Sequence, residues 1–332
     1  MLKHDFHYLI CEESFIDFKM CHASNLIKLS DGSIVCVFFA GTHEGDSDTS
    51  IYLCKAKEGE KAVARKIASG DEAHWNPVLY ETKAGEIVLF YKVGNVIASW
   101  RTMIMRSNDG CETFSKACEL VPGDKGGRGP VRNKPVRLTS GKVLSPASLE
   151  EGFWRSFVDI SDENFEKLTK SQEIVYKEEG AFDPKNKDIA VSLQSFSGKG
   201  VIQPTIWQDD KGVHVLMRST FGKVIRADSE DGGNTFLKPY PVNLYNNNSG
   251  LDAVFTRNKL YVVCNPVAGN WAVRSPLSLL SSEDGINFKE EAVLAKGKGE
   301  FSYPCIRAYG DSLYISYTFD RNNIAIEKFT IN

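Results

Sequence analysis

Several features that would assign a function outright are missing from this sequence. None of its eight cysteines falls in a Cys-x-x-Cys pair or at a metal-ligand spacing. No metal centre is read from them, and they are expected as buried free thiols of a reducing compartment. No stretch approaches the roughly 20 apolar residues of a membrane-spanning helix. Residues 1–20 carry Glu12, Glu13 and Asp17 and lack a sustained apolar run, so no signal peptide is read and the cytoplasm is the simplest location. A formal net charge of −3 supplies no basic field for nucleic acid or an anionic membrane, although local basic groups can still bind an anionic substrate. No nucleotide-binding loop or Ser-His-Asp signature stands out, and no cofactor is expected. Linkers and composition shifts are also lacking. The 332 residues therefore read as one domain, although length alone would allow two.

What is present is repetition. Ser107-Asn108-Asp109-Gly110-Cys111-Glu112-Thr113-Phe114 recurs as Ser229-Glu230-Asp231-Gly232-Gly233-Asn234-Thr235-Phe236. It recurs again, one residue shorter, as Ser282-Glu283-Asp284-Gly285-Ile286-Asn287-Phe288. In such a string Asp accepts backbone N–H bonds within the turn, Gly takes the positive φ, and the aromatic folds back as a plug. Ser161-Asp162-Glu163-Asn164-Phe165 is a decayed copy, and Lys55 to Glu60 holds the equivalent place in the first unit.

A second marker is a polar turn that leads into an apolar run, as at Ser30-Asp31-Gly32 before Ile34–Phe39. It recurs at Gly85, Gly141, Gly212, Asn258 and Asp311, at intervals of 46 to 71 residues. Short strands punctuated at a period near 50 predict an all-β fold, a six-bladed β-propeller. The Ser-x-Asp-Gly turns then join the third and fourth strands of their blades. The longest interval predicts a surface insertion near 166–200, rich in Lys, Glu, Gly and Ser.

In a propeller the first strand of each blade lines the central channel, so residues at those strand starts crowd one mouth. They read Cys21-His22-Ala23-Ser24, His74-Trp75-Asn76-Pro77, Arg132-Asn133-Lys134-Pro135, Ile202-Gln203-Pro204, Gly250-Leu251-Asp252 and Ser302-Tyr303-Pro304. Four carry a Pro that fixes φ and aims the preceding side chain. His22, His74, Asn76, Lys134, Gln203, Asp252 and Tyr303 thus form a candidate polar ring, with Trp75 beside it. Each also has a structural alternative. A strand-start His is often hydrogen-bonded in place, Lys134 can solvate a rim, Asp252 can cap a turn, and Tyr303 can serve as an aromatic wall.

The Ser-x-Asp-Gly-x-x-Thr-Phe strings resemble the Asp-box repeats of the sialidase superfamily. The His-Ala-Ser, His-Trp-Asn-Pro, Asn-Lys-Pro, Ser-Gly-Leu-Asp-Ala and Ser-Tyr-Pro strings resemble its branch of predicted neuraminidases, or BNR-repeat proteins. The resemblance covers essentially the whole chain. It implies three arginines that hold a substrate carboxylate, a Tyr nucleophile paired with Glu, and an Asp acid/base. By that likeness Arg218 is the second arginine, Arg274 the third and Tyr303 the nucleophile, while Asp46 or Asp48 supplies the acid/base. Two departures are plain. The family's Phe-Arg-Ile-Pro motif, which carries the first arginine, corresponds here to Cys21-His22-Ala23-Ser24. The Glu would fall near Val201 to Gln203, where no acid occurs.

Three functions follow. One is a sialidase-like glycosidase for a terminal acidic or polar sugar, working by a modified mechanism. There Tyr303 acts with Asp46 or Asp48, and Arg218, Arg274 and Lys134 hold the anionic group. Another is a uronate lyase, with Arg218 and Lys134 or Asn76 neutralising the carboxylate, His22 or His74 as base and Tyr303 as acid. The third is a non-catalytic glycan-binding propeller. In every case the partner is a carbohydrate.

Overall fold

Each of the six polar turns joins two antiparallel strands. The turn at Gly32 connects Met20–Lys28 to Ile34–Gly41, and that at Gly85 connects His74–Glu81 to Ile87–Val93. Gly141 lies between Val136–Arg137 and Val143–Glu150, and Gly212 opens Gly212–Ser219 after Lys199–Asp209. Arg257 and Asn258, both at positive φ, join Asp252–Thr256 to Lys259–Cys264. Gly310 and Asp311 join Phe301–Tyr309 to Ser312–Phe319. In every unit a third strand follows: Ser50–Ala56, Arg101–Ser107, Phe153–Ser161, Lys223–Ser229, Leu277–Ser282 and Asn323–Ile331.

This computed structural model describes residues 2–177 and 198–332. Its hydrogen-bonded sheets are four of four strands and one of eight. In the eight-stranded sheet, the meanders that begin at Val136 and Lys199 are joined by two parallel pairs, Phe153 with Lys199 and Trp154 with Gly200. The last sheet takes its outer strand from the chain start, Leu2–Leu9 pairing with Asn323–Ile331. The architecture is an all-β, propeller-like array of meanders. Among the described residues the helices are two single 3₁₀ turns, Glu13–Phe15 and Ile97–Ser99. No helix is long and apolar enough to cross a membrane. The expected insertion near 166–200 falls largely on 178–197, outside the described residues. Ahead of it, Thr169–Lys170 pairs with Asp159 and Ile160 as the outermost strand of its meander.

Burial explains why the second strands read as unbroken apolar runs. Ile34–Gly41 is buried along its whole length because neighbouring sheets cover both its faces. Val35, Val37 and Phe39 pack with Trp75, Leu79 and Leu89 of the next sheet, whereas Ile34, Cys36, Phe38 and Ala40 pack with Cys305, Tyr314 and Ile324. Side-chain alternation with period 2 thus feeds two cores from one strand. Similar clusters join Val88 and Phe90 to Val143, Leu144 to Val215, Leu216 to Val262, and Val263 to Ile315. All eight cysteines are unpaired, and Cys118 alone is exposed.

The Ser-x-Asp-Gly turns lie after the third strands, as the spacing predicts. In the second copy Ser229 Oγ donates to Asp231 Oδ1 at 2.8 Å and accepts from the Gly233 N–H at 2.9 Å. Asp231 also accepts from the Thr235 N–H at 2.9 Å and hydroxyl at 2.7 Å. These donors hold its carboxyl low, at about 2. Asp231→Ala removes the hub of an exposed turn and is expected to lower stability by about 1–2 kcal/mol while leaving ligand binding alone. Denaturant melts and a binding titration on the same variant check both halves.

Candidate functional site

An antiparallel meander places the start of its first strand, the end of its second and the entry to its third at one edge. The Ser-x-Asp-Gly turns close the third strands at the opposite edge. At the first edge four of the inner strands share one irregularity. Their pairing slips between His22 and Asn25, Trp75 and Val78, Ile202 and Thr205, and Ser302 and Cys305. Within each slip one residue is left-handed: Ala23 (φ 56), Asn76 (φ 44), Gln203 (φ 52) and Tyr303 (φ 52). In three of the four a Pro comes next, a residue with no N–H to leave unpaired at a bulge. Left-handed backbone at non-glycine residues costs on the order of 1–3 kcal/mol each and gathers at functional sites.

Asn76, Gln203 and Tyr303 enter one cavity of ≈ 200 Å³. Arg218, Arg274 and Arg321 line it as well, together with Glu44 and Glu150. Its walls hold four of the chain's five tryptophans, Trp75, Trp100, Trp154 and Trp271. They stand in two edge-to-face pairs, Trp75–Trp100 at 6.1 Å and Trp154–Trp271 at 6.3 Å. Broad aromatic faces beside a few convergent charged groups suit a small polar ligand with apolar ring faces.

The guanidinium groups are fixed in place. Arg218 Nη1 donates to the Tyr303 hydroxyl at 2.8 Å and to Gln203 Oε1 at 3.2 Å, and its Nε donates to Asn248 Oδ1 at 2.9 Å. Glu300 braces the other two, accepting from Arg274 Nη1 at 2.7 Å and from Arg321 Nε at 3.0 Å. Arg321 also pairs with Glu44. The guanidinium carbons of Arg132, Arg274 and Arg218 lie 5.1, 5.3 and 5.8 Å from the centre of the Tyr303 ring.

Burial works to raise the Glu300 pKa, but Arg274 and Arg321 outweigh it and hold the carboxyl at about 2. The folded value lies below the ordinary 4.5. Ionised Glu300 therefore adds stability above the unfolded pKa, and that contribution is lost as the pH falls through the folded value. Glu300→Gln is expected to flatten the loss of stability between about pH 5 and pH 2. Thermal melts of both proteins across that range test it; parallel curves would contradict it.

The other residues singled out by sequence divide clearly. Trp75 lines the cavity, its indole N–H donating to the Gly94 carbonyl at 2.9 Å. His22 lies beside the Tyr303 ring, centroids 4.1 Å apart, with Nδ1 on the Thr318 hydroxyl at 2.9 Å. Burial, then the charges of Arg321 and Arg274, push its pKa well down, so the ring is neutral. It is not among the residues that line the cavity. His74 turns away, stacking on Tyr91 and bonding the Glu72 carbonyl at 2.8 Å.

Asp46 pairs with exposed His43, and Asp48 accepts from the Thr42 N–H and hydroxyl. Neither carboxylate lines the cavity, whereas Glu44 of the same loop does. Lys134 donates to Asp252 Oδ2 at 2.7 Å and to the Ala253 carbonyl at 2.9 Å. That pair is buried in the array and also lies outside the cavity lining. Sequence reasoning passed over Glu44, Trp100, Glu150, Trp154, Trp271 and Arg321. The available signal was a tryptophan in or just after the connection between second and third strands in three units, at Trp100, Trp154 and Trp271. Among the described residues no group of three or more His, Cys, Asp or Glu is arranged to hold a metal ion.

The repeats, the meanders and this cavity define a class. A family model described as the BNR repeat-like domain matches residues 32–315, and the chain belongs to that family. Among solved structures the chain is similar to a protein of unknown function from Dyadobacter fermentans, with TM-score 0.76 and 16% identity over 100% of this chain and 99% of that one. It is similar to the Hadza microbial sialidase Hz136, with TM-score 0.74 and 13% identity over 97% of this chain and 68% of that one. It also resembles the sialidase of Trypanosoma rangeli in complex with the inhibitor DANA, with TM-score 0.70 and 12% identity. That match covers 93% of this chain and 55% of the trypanosomal chain. The fold is sialidase-like. No curated protein matches the sequence.

Proposed function

We propose that this chain is a sialidase-like glycosidase that removes a terminal acidic or polar sugar. Tyr303 is the nucleophile, Arg218, Arg274 and Arg321 clamp the substrate carboxylate, and Glu44 is the general acid. The observation that carries this reading is three arginines in one small cavity with a hydrogen-bonded tyrosine. Charge-assisted bonds to a carboxylate contribute roughly 1.5–3 kcal/mol each when desolvated. An incoming carboxylate competes with Glu44 for Arg321; the released Glu44 carboxylate takes a proton from water and then delivers it to the leaving oxygen. The cavity volume lies below the roughly 300–1,000 Å³ of drug-sized sites, which favours a single terminal unit over a bound chain.

Elimination is the weaker reading. It needs a base at C5, and neither His22 nor His74 lines the cavity. Three arginines, two carboxyls and a tyrosine are more ionisable groups than a passive binding site requires. The same reading counts six blades. It divides the eight-stranded sheet at its two-pair parallel junction, and an apolar cluster then lies between every pair of neighbouring blades.

A screen of aryl glycosides and uronate oligosaccharides, read for released aglycone and for ultraviolet absorbance, separates the possibilities. Aglycone release without an absorbing unsaturated product is expected. An unsaturated sugar indicates a lyase, and binding without turnover indicates a lectin-like module.

A further inference from the structure

The strand Leu2–Leu9 is the outermost of its sheet and pairs with Asn323–Ile331, far away in sequence. Asn323–Ile331 turns Ala325, Phe329 and Ile331 to one face, into an apolar cluster that also takes in Ile315, Tyr317, Leu2 and Leu9. Period 2 puts Glu327 on that same face, and it is 2% exposed. A carboxylate buried among apolar side chains costs free energy unless its oxygens are satisfied.

The outer strand satisfies them. Glu327 Oε2 accepts from His4 Nε2 at 2.6 Å. Oε1 accepts from His7 Nδ1 at 2.8 Å and from the Tyr317 hydroxyl at 3.1 Å. On a regular strand, histidines three positions apart would face opposite ways. Here the pairing slips between His4 and Phe6, so that His4 lies opposite Phe329 and His7 opposite Glu327. The bulge at Asp5 therefore turns both imidazoles onto one carboxylate. Asp5 itself accepts from the Thr330 hydroxyl at 2.6 Å.

A groove of ≈ 480 Å³ runs beside this cluster, toward the outer strand Lys289–Ala295 of the neighbouring meander. His4, His7, Glu327 and Lys296 are the titratable groups among the described residues that line it, and Phe301, Phe319 and Phe329 supply apolar wall. Water reaches the imidazoles, 49% and 39% exposed, but hardly the carboxylate, 3% exposed. The hydrogen bond to Glu327 and its negative charge raise the His7 pKa above the ordinary 6.5, although burial opposes them. The imidazolium of His7 thus contributes fully below the unfolded value, and that contribution is lost as the pH rises through the folded one.

We propose that His4, His7 and Glu327 form a proton-sensitive clasp, which holds Leu2–Leu9 on the sheet that carries Tyr303 and loosens its hold as the medium turns alkaline. The clasp is independent of the glycosidase reading, since none of its three residues lines the candidate cavity.

Hydrogen exchange tests it on wild type, the His4→Gln/His7→Gln double variant and Glu327→Gln, each at about pH 6 and about pH 8.5 and corrected for the chemical exchange rate. Glutamine keeps a donor in place of each imidazole but takes up no proton. Between the two conditions, wild-type protection of the amides in Leu2–Leu9 is expected to fall at least about threefold more than that of the inner strand Ile34–Gly41. That excess fall is expected to vanish in both variants. Wild-type protection of Leu2–Leu9 that ignores pH overturns the clasp, and so does an equal excess fall in either variant. Proton NMR of wild type gives a check that needs no variant to fold. The His7 ring, recognised by its contact with Phe319, is expected to titrate above 6.5. Titration at or below that value overturns the clasp as well.

Discussion

Tyr303→Phe is expected to lower kcat on the cleaved aryl glycoside by roughly 10³-fold or more, with binding of the matching free sugar acid changed only a few-fold. The substitution removes one oxygen. That oxygen is the attacking atom in the proposed first step, and nothing else in the cavity replaces it. The ring stays against His22 and beneath the guanidinium groups, so the walls and the carboxylate clamp survive. Arg218 loses one acceptor and keeps Gln203 and Asn248. The split between kcat and affinity is the signature, measured by initial rates and a tryptophan-fluorescence titration. A comparable fall in both would mean that Tyr303 only shapes the cavity.

The second large effect lies away from the cavity. Asp252 Oδ2 accepts from Lys134 Nζ at 2.7 Å and from the Ile306 N–H at 2.9 Å, and Oδ1 accepts from the Thr205 hydroxyl at 2.7 Å. One buried carboxylate thus ties together four successive meanders. Asp252→Ala leaves the Lys134 ammonium buried without its counter-charge. That is expected to cost about 3–5 kcal/mol, the range for breaking a buried pair from one side. Adding Lys134→Met should restore part of the loss, because the stranded charge is gone. Denaturant midpoints of the single and double variants test the coupling. A double variant no more stable than Asp252→Ala would show that the pair is not what fails.

How much of this was legible follows from how local each signal is. The polar turns announce themselves because Gly, Asn and Asp tolerate the positive φ that short hairpins need, and all six fall between first and second strands. The Asp-box turns are equally local, since Ser229, Asp231 and Thr235 bond one another within seven residues. Tyr303 was reached through its place at a strand start, and Arg218 and Arg274 through the resemblance to the sialidase superfamily. Arg321 and Glu44 were not, because they are neighbours only when the array closes; 277 residues separate them. Glu150 was not either, because it closes a second strand, where neither a polar hairpin turn nor a following Pro marks it.

Of the ring of strand-start residues only Asn76, Gln203 and Tyr303 line the cavity, for a specific reason. His74 and Asn76 are two apart, which would place them on one face of a regular strand. The left-handed residue at Asn76 breaks that rule, so Asn76 enters the cavity while His74 packs on Tyr91. A sequence shows where a Pro follows a polar residue, not which neighbour the bulge turns inward. Lys134 and Asp252 share the ring's composition yet satisfy each other, the structural alternative open to any buried pair of opposite charge.

The stereochemistry of the first-formed product tests the central claim most directly. Proton NMR of the sugar released from an aryl glycoside, recorded before the anomers equilibrate, distinguishes the routes. Two displacements through Tyr303 predict the same anomeric configuration as the substrate. An inverted anomer, or an unsaturated sugar in its place, would contradict a tyrosine-bound intermediate in this cavity.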